Sequence, residues 1–232
     1  EKLDQFVYKS NLFMKPEFTK EKTQLKRVVL CEGEDLRVLH ATQQIVSQKL
    51  AFPVLIGRPE VIERRIKELG LNLQAGKDFE LVNNQRDPRY REYWGEYYQS
   101  MKRKGITEEM ARRRVIGNTT LIGALMVNRG DADAMICGTF GRYREHFDTI
   151  EQVIGYNNPE KVAGAMNALI LPHGNIFITD TYVNAKPNAA QLAKITEMAT
   201  EDMRRFGIEP KVALMSNSNF GSIDNDTSRL MQ

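Results

Sequence analysis

The alternation of short apolar runs with longer amphipathic stretches constrains the fold more than any other feature of this sequence. A short apolar run ends Lys26–Cys31, and the amphipathic stretch Leu36–Leu50 follows it. The same order returns with Val54–Ile56 and Glu60–Leu69. Short apolar runs are typical of buried strands, whereas apolar residues spaced along one face are typical of helices. Strands and helices that alternate at this spacing form right-handed βαβ units, so the sequence predicts an α/β fold with a parallel sheet.

Similar signals predict further elements in the first part of the chain. Phe79–Val82 and Asp131–Cys137 are expected to be strands. Helices are expected after Asp87, which precedes a proline, and after Thr107, whose hydroxyl can cap the first turn. Thr119–Arg129 is expected to be an apolar helix that ends at a glycine.

The pattern changes after about residue 150. Val162–Leu171 and Ile176–Thr179 are apolar runs on either side of Pro172–Gly174, and this arrangement predicts an antiparallel hairpin. Asn188 is expected to cap a long amphipathic helix. Val212–Met215 is a continuous apolar run, which predicts a further strand buried on both faces.

The two patterns together predict two α/β subdomains with a cleft between them. Residues 1–27 are expected to form a lead-in helix and a linker, residues 28–138 the parallel-sheet subdomain, and residues 139–232 a second subdomain that contains the hairpin. The chain begins without Met and stops in what its spacing predicts as the first turn of a helix. We therefore expect a C-terminally truncated piece of a longer protein, in which the second subdomain is incomplete.

Composition and charge argue against several classes of protein. Of the 232 residues, 41% are hydrophobic and 27% are charged, which is typical of a globular protein with its own core. The formal net charge of +3 is too small to indicate a nucleic-acid partner. No apolar stretch reaches the length that spans a membrane. Two cysteines, Cys31 and Cys137, favour reduced and packed thiols in a cytoplasmic protein.

The segment from Arg86 to Arg114 leaves three interpretations open. It is rich in Lys and Arg, with five aromatic side chains interleaved among them. A nucleic-acid surface or a site for phosphates would use both residue types. Because the aromatic residues recur at helical spacing, we favour partly packed, solvated helices.

Three loops are expected at the carboxyl ends of strands, which is where parallel α/β sheets bind ligands. They are Glu32–Asp35, Gly138–Arg144 and Ser216–Ser222. Guanidinium groups in the second loop, and hydroxyl and N–H groups in the third, suit a small ligand that carries phosphate or carboxylate. The candidate binding residues are Thr139, Arg142, Arg144, Ser216, Asn217, Ser218, Gly221 and Ser222. The spacing of the two cysteines and three histidines predicts no metal site.

Four motifs, in order along the chain, resemble those of the phosphate acetyltransferase family. They are Val28–Asp35, Asp133–Gly138, Ile178–Asn184 and Val212–Ser222, and the resemblance extends from about Val28 to the end of the chain. It implies an isocitrate/isopropylmalate-dehydrogenase-like fold of two α/β subdomains. It also implies a cleft that binds acyl phosphate and coenzyme A.

A narrower resemblance involves Glu1–Pro16 and the phrase Cys137–Tyr143. Both are similar to the hybrid malic enzymes, in which an N-terminal NADP-dependent malic enzyme domain precedes a phosphotransacetylase-like domain that responds to acetyl-CoA. The resemblance implies acetyl-CoA as the effector, no cofactor in this domain itself, and a malic enzyme domain in the same polypeptide. That absent domain would use NADP and Mg or Mn to convert malate into pyruvate. A homo-oligomer in the cytoplasm is also implied.

Two departures from the transferase pattern argue against catalysis by this domain. Gly141, Arg142 and Tyr143 stand where the transferases carry small residues. The Ser-Arg pair and the Asp with which the transferases position the thiol of coenzyme A would lie beyond residue 232. No catalytic residue is therefore assigned, and a regulatory acetyl-CoA-binding domain is the leading hypothesis. The alternatives are an active phosphate acetyltransferase, which exchanges acetyl between coenzyme A and phosphate, and a domain for oligomer assembly.

Overall fold

The computed structural model describes residues 25–83, 85–171, 174–215, 219 and 222–230. Within these residues the chain divides into two compact units. The first unit runs from residue 25 to residue 155, and the second unit comprises the described residues from 156 to 230. The described part of each unit contains its own β-sheet.

The first unit alternates strands and helices. A one-turn 3-10 helix, Lys102–Lys104, separates two of its α-helices. The elements follow the predicted types and order with ends that differ by a few residues, except that the helix Tyr143–Val153 is not among the predicted elements. In chain order they are β1 (Arg27–Leu30), α1 (Leu36–Ser47), β2 (Phe52–Gly57), α2 (Pro59–Glu68), β3 (Glu80–Asn83), α3 (Tyr90–Met101), α4 (Glu108–Gly117), α5 (Thr119–Arg129), β4 (Ala134–Ile136) and α6 (Tyr143–Val153).

Capping side chains explain where several helices begin. Thr107 accepts the N–H of Met110 at the start of α4, as the sequence predicts. Asn118 accepts the N–H of Leu121 at the start of α5. Helix α3 begins later than expected, because the Asp87 carboxylate accepts the N–H of Arg89 and holds a turn before the helix.

The four strands of the first unit form a parallel sheet in the order β3-β2-β1-β4. Val29 of β1 pairs with Val54 of β2 on one side and with Met135 of β4 on the other. The α/β class with a parallel sheet is thus confirmed. The order of the strands reverses beside β1, because β2 and β3 lie to one side of it and β4 lies to the other. In open α/β sheets, ligands bind at the carboxyl ends of the strands that flank such a reversal.

Each face of this sheet is covered by helices and contributes to a separate apolar cluster. Successive residues of a strand point to opposite faces, so Val29 packs with α3, α4 and α5, whereas Leu30 packs with α1 and α2. Tyr93 and Tyr97 of α3 are almost completely buried in the first cluster. The aromatic residues of the basic segment therefore serve packing, as their helical spacing predicts.

The described part of the second unit contains an antiparallel hairpin and two helices. Its elements are β5 (Met166–Leu171), β6 (Gly174–Thr179), α7 (Ala189–Arg205) and α8 (Asp226–Leu230). The predicted hairpin is confirmed, although β5 begins later than Val162. The side-chain amide of Asn158 occupies both the N–H and the carbonyl of Val162, so these groups are not available for a strand ladder. Pro172 and His173 of the predicted turn lie outside the described residues.

The prediction of a buried strand over Val212–Met215 is wrong. These residues form no regular structure, and the side chains of Val212, Leu214 and Met215 are 55%, 54% and 80% exposed. A strand is stabilised only when neighbouring strands complete its backbone hydrogen bonds. The described sheet of the second unit consists of β5 and β6 paired with each other, so the apolar run lacks such neighbours within the part of the chain that is described.

The division between the two units falls after residue 155, whereas the sequence predicts it after Gly138. Helix α6 belongs to the first unit because it packs against α5, and a hydrogen bond between His146 and Thr120 joins these two helices. The predicted lead-in helix lies outside the described residues. Among those that are described, no helix has both the length and the apolar character needed to cross a membrane.

Candidate functional site

The turn that follows β1 holds the loop that follows β4, at the point where the strand order reverses. Glu32 lies in this turn and is only 5% exposed. Its carboxylate accepts the N–H of Gly138 at 3.0 Å and the hydroxyl of Thr139 at 3.2 Å. A carboxylate that accepts from two groups of one loop fixes that loop strongly, because both hydrogen bonds are charge-assisted. We refer to residues 138–142 as the β4 loop.

Two further side chains fix the backbone of the β4 loop. The Arg37 guanidinium donates to the Thr139 carbonyl at 2.8 Å while also binding the Asp35 carboxylate. His146 Nε2 lies 2.8 Å from the Phe140 carbonyl. Because a carbonyl can only accept, Nε2 carries the proton, and in the neutral ring Nδ1 accepts from the Thr120 hydroxyl at 2.8 Å.

The β4 loop also depends on a glycine. Gly141 has φ of +94°, a conformation that L residues with a side chain rarely adopt. A Cβ at this position would lie 2.9 Å from His146 Nε2. Backbone conformation and close packing therefore both require glycine here.

Of the two predicted arginines, Arg142 at the end of this loop is better placed to bind an anion than Arg144 just after it. The Arg142 side chain is 86% exposed, and it approaches the Glu145 carboxylate only at 3.9 Å. Arg144 instead makes a 2.7 Å ion pair with Asp148 and lies over the ring of Phe147. An arginine that already has a carboxylate partner must give up that interaction to bind a phosphate.

A cavity of about 420 Å³ opens beside the β4 loop, at the carboxyl ends of β1 and β2. The Arg58 guanidinium binds the Glu34 carboxylate through two hydrogen bonds, at 2.9 and 2.7 Å. These bonds hold the pKa of Glu34 below its ordinary value, although partial burial acts in the opposite direction. Arg65 donates to the Glu34 carbonyl. Because both cationic groups have acceptors, and Glu32 and Asp35 also line the cavity, it does not favour an anion.

The structure brings together only part of the predicted set of binding residues. Thr139, Arg142 and Arg144 lie within six residues of one another in the first unit, but the Thr139 hydroxyl is engaged by Glu32. Ser222 lies in the second unit, where its N–H donates to the Asn219 carbonyl at 2.8 Å. The other four predicted residues, Ser216, Asn217, Ser218 and Gly221, lie outside the described residues.

The residues that fix the β4 loop were the ones that sequence reasoning missed. In the sequence, Glu32 stands out only as part of a loop, and neither Arg37 nor His146 stands out as a candidate. The two hydrogen bonds of His146 give it a structural role. Arg37 and Glu32 contact residues more than 100 positions away in the chain, and no local pattern identifies such partners.

Comparison with known proteins shows the family. The family described as phosphate acetyl/butaryl transferase matches residues 12–232. The chain belongs to this family, which confirms the resemblance seen in the four motifs.

Similar proteins include malic enzymes as well as transferases. The NADP-dependent malic enzyme of Escherichia coli (strain K12) is 61% identical over 232 residues, which are 100% of this chain and 31% of that protein. The NADP-dependent malic enzyme of Salmonella typhimurium is 64% identical over 222 residues, or 96% of this chain and 29% of that protein. The phosphate acetyltransferase of Nitratidesulfovibrio vulgaris is 32% identical over 207 residues, which are 88% of this chain and 28% of that protein. The chain thus spans about three tenths of the length of these relatives.

Two solved structures have the same fold. The EutD phosphotransacetylase from Staphylococcus aureus has a TM-score of 0.77 at 23% identity, covering 97% of this chain and 66% of that chain. A phosphotransacetylase from Streptococcus pyogenes has a TM-score of 0.82 at 22% identity, covering 93% of this chain and 65% of that chain. At this identity the comparison concerns the fold alone.

Proposed function

We propose that this chain is a regulatory, acetyl-CoA-binding domain of a longer malic enzyme polypeptide. The parent protein would oxidatively decarboxylate malate to pyruvate with NADP and Mg or Mn in an N-terminal domain. The observation that carries the proposal is the pair of malic enzymes at 61% and 64% identity, each of which matches almost all of this chain over less than a third of its own length. A cytoplasmic homo-oligomer is part of the same proposal.

The proposal includes a finer description of the fold. We expect an isocitrate/isopropylmalate-dehydrogenase-like fold of two α/β subdomains. The presence of two compact units, each with its own sheet, supports this expectation.

The chemistry of the β4 loop supports an acyl-CoA ligand. Coenzyme A carries phosphates, and guanidinium groups bind phosphate through charge-assisted hydrogen bonds. Arg142 presents an exposed guanidinium at the end of a loop that Glu32, Arg37 and His146 already hold in place. A fixed loop reduces the entropy that ligand binding must remove.

An active phosphate acetyltransferase is the second candidate, and the family membership favours it. Against it, Gly141, Arg142 and Tyr143 occupy the loop position at which the transferases carry small residues. We expect the full polypeptide to form no detectable acetyl-CoA from acetyl phosphate and coenzyme A. Turnover of about 1–10³ s⁻¹, the usual range of enzymes, would establish the transferase instead.

Oligomer assembly is the third candidate. The hairpin of the second unit exposes large apolar side chains, including Leu169, Ile176 and Ile178, each more than 40% exposed. Exposed apolar groups that lie together are typical of interfaces. This role is compatible with ligand binding elsewhere in the chain.

Substitution of Arg142 tests the binding proposal. Removal of one charged partner costs about 1.5–3 kcal/mol, which corresponds to roughly tenfold to hundredfold weaker binding. We therefore expect Arg142→Ala to raise the Kd of acetyl-CoA by that factor in calorimetric titrations of the full polypeptide. Malate turnover without acetyl-CoA should stay close to that of the wild type.

Two other arginines provide comparisons for this experiment. Arg144→Ala should have a smaller effect than Arg142→Ala, because Arg144 is already paired with Asp148. Arg113→Ala is the matched control, since this exposed arginine pairs with Glu109 on α4. Equal affinities for Arg142→Ala and wild type would remove Arg142 from the site. An equal loss in Arg113→Ala would show that the effect is not specific.

A further inference from the structure

The two cysteines, Cys31 and Cys137, lie side by side directly after β1 and β4. Leu30 pairs with Ile136 in the parallel ladder. The Cys31 N–H donates to the Ile136 carbonyl at 3.0 Å, which continues the ladder by one residue. Adjacent strands lie about 4.8 Å apart, and disulfides join residues whose Cα atoms are about 4.4–6.8 Å apart. The two backbones therefore already have a separation that a disulfide can bridge.

The two thiols also point to the same face of the sheet. Side chains two residues apart on a strand share a face. Cys31 therefore points to the same face as Val29, and Cys137 to the same face as Met135, and this face lies beneath α5. A Cβ added to Gly123 of α5 would lie 2.6 Å from Cys31 Sγ and 3.3 Å from Met135 Cε. The thiols of Cys31 and Cys137 therefore lie next to each other on this face, close enough for each to shift the pKa of the other.

The surroundings of the two thiols differ in a way that assigns them different roles. Cys31 is completely buried, and the hydrogen bond with Cys137 together with burial raises the pKa of its thiol. Cys137 is only partly buried. Its hydrogen bond with the Cys31 thiol lowers the pKa of the Cys137 thiol to about 7, against the effects of burial and of the nearby Glu32 carboxylate. Cys137 is thus the more reactive thiol, since the thiolate is the nucleophile.

We propose that Cys31 and Cys137 form a reversible intramolecular disulfide when the protein meets hydrogen peroxide. The Cys137 thiolate attacks one peroxide oxygen, the O–O bond breaks, and the hydroxide that leaves takes up a proton to become water. The Cys31 sulfur then attacks the sulfur of the resulting sulfenic acid and gives up its proton, and the S–O bond breaks to release a second water. Two thiols are oxidised to one disulfide, and one peroxide is reduced to two waters.

The position of the pair connects this chemistry to the β4 loop. The disulfide would join the residue before Glu32 to the residue before Gly138, and a hydrogen bond already links Glu32 to Gly138. Cys31 also lines the cavity of about 420 Å³, but a small oxidant meets Cys137 first, because Cys31 is completely buried whereas Cys137 is partly exposed. The inference does not depend on acyl-CoA binding.

Peptide mapping of the full polypeptide tests the proposal. Reduced protein is treated with hydrogen peroxide, unfolded in denaturant so that both cysteines are accessible, alkylated with iodoacetamide, digested and analysed by mass spectrometry. We expect a linked peptide pair that contains Cys31 and Cys137, lighter by two hydrogen atoms than the sum of the free peptides, and absent after treatment with dithiothreitol. Alkylation of both cysteines after peroxide treatment would overturn the proposal. Irreversible sulfinic acid at Cys137 with Cys31 still alkylated would also overturn it.

Two serine variants test the assigned order of attack. In Cys31→Ser, Cys137 should accumulate as sulfenic acid, which dimedone traps as an adduct. In Cys137→Ser, Cys31 should alkylate about tenfold or more slowly than Cys137 does in the wild type, because the Cys31 thiol is completely buried and burial disfavours the reactive thiolate. Dimedone labelling of Cys31 rather than Cys137 would contradict the order. Circular dichroism checks that each variant folds, and the wild-type peptide map does not depend on either variant.

Discussion

At the scale of single residues, Gly141 controls the shape of the β4 loop. Its φ is +94°, and a Cβ would lie 2.9 Å from His146 Nε2. We predict that Gly141→Ala destabilises the chain by more than about 1 kcal/mol, because alanine must adopt positive φ and also displace the histidine. Urea denaturation monitored by circular dichroism measures the free energy of unfolding.

Gly130 supplies the control for this substitution. Its φ is +80°, but among the described residues no atom beyond its chain neighbours and its own helix backbone lies within 4 Å of the position of an added Cβ. Gly130→Ala therefore introduces backbone strain without the contact to the histidine, and its cost should be the smaller of the two. Equal costs would contradict the idea that His146 packing requires a glycine in the β4 loop.

Asp180 gives a prediction about pH, also at the residue scale. Burial raises the pKa of its carboxyl, but hydrogen bonds from the N–H groups of Ala165, Val183 and Asn184 together lower it below the ordinary value. A carboxyl with a lowered folded-state pKa stabilises the fold above its unfolded-state pKa of about 3.9. That contribution is lost as the pH falls through the folded-state pKa.

We predict that Asp180→Asn weakens the dependence of stability on pH below about pH 4, relative to the wild type. The melting temperature, measured by circular dichroism between about pH 2 and pH 7, checks this expectation. Glu201→Gln, which removes an exposed carboxylate from α7, is the matched control. If Asp180→Asn and wild type lose stability in parallel on acidification, the hydrogen bonds to Asp180 do not favour its charged form.

At the scale of secondary-structure elements, capping decides where α7 begins. The Asn188 side chain accepts the N–H of Gln191, and the Gln191 side chain accepts the N–H of Asn188. We predict that Asn188→Ala costs about 1 kcal/mol of stability. Asn188→Asp should cost much less, because aspartate caps helices equally well. Thermal unfolding of the two variants shows whether stability depends on a capping side chain at this position or on asparagine in particular. Equal losses of stability in Asn188→Ala and Asn188→Asp would contradict the capping role.

Elements with local signals at both ends could be predicted from the sequence. Thr119–Arg129 was predicted with its correct ends, since Asn118 caps one end and Gly130 closes the other. Val212–Met215 shows the limit of this approach. Its apolar run satisfies the local pattern of a buried strand, but strand formation depends on neighbouring strands, which a local pattern does not contain.

At the scale of the whole molecule, the parallel sheet and the family could be predicted, but the details of the candidate site could not. Alternation of strands and helices is a local property repeated along the chain, and so are the four family motifs. The contacts that hold the β4 loop join Glu32 to Gly138 and Arg37 to Thr139 across more than 100 residues. The sequence therefore indicated that Glu32–Asp35 and Gly138–Arg144 lie at the same edge of the sheet, but not which side chains join them.

The proposed function requires that acetyl-CoA bound to this chain changes the activity of a malic enzyme domain in the same polypeptide. NADPH formation from malate by the full polypeptide is measured at increasing acetyl-CoA concentrations, with coenzyme A lacking the acetyl group as the comparison. We expect a saturable change in malate turnover, and we expect Arg142→Ala to shift the half-effect concentration roughly tenfold to hundredfold upward. Unchanged turnover at every acetyl-CoA concentration, with no heat of binding in calorimetry, would contradict the proposed function.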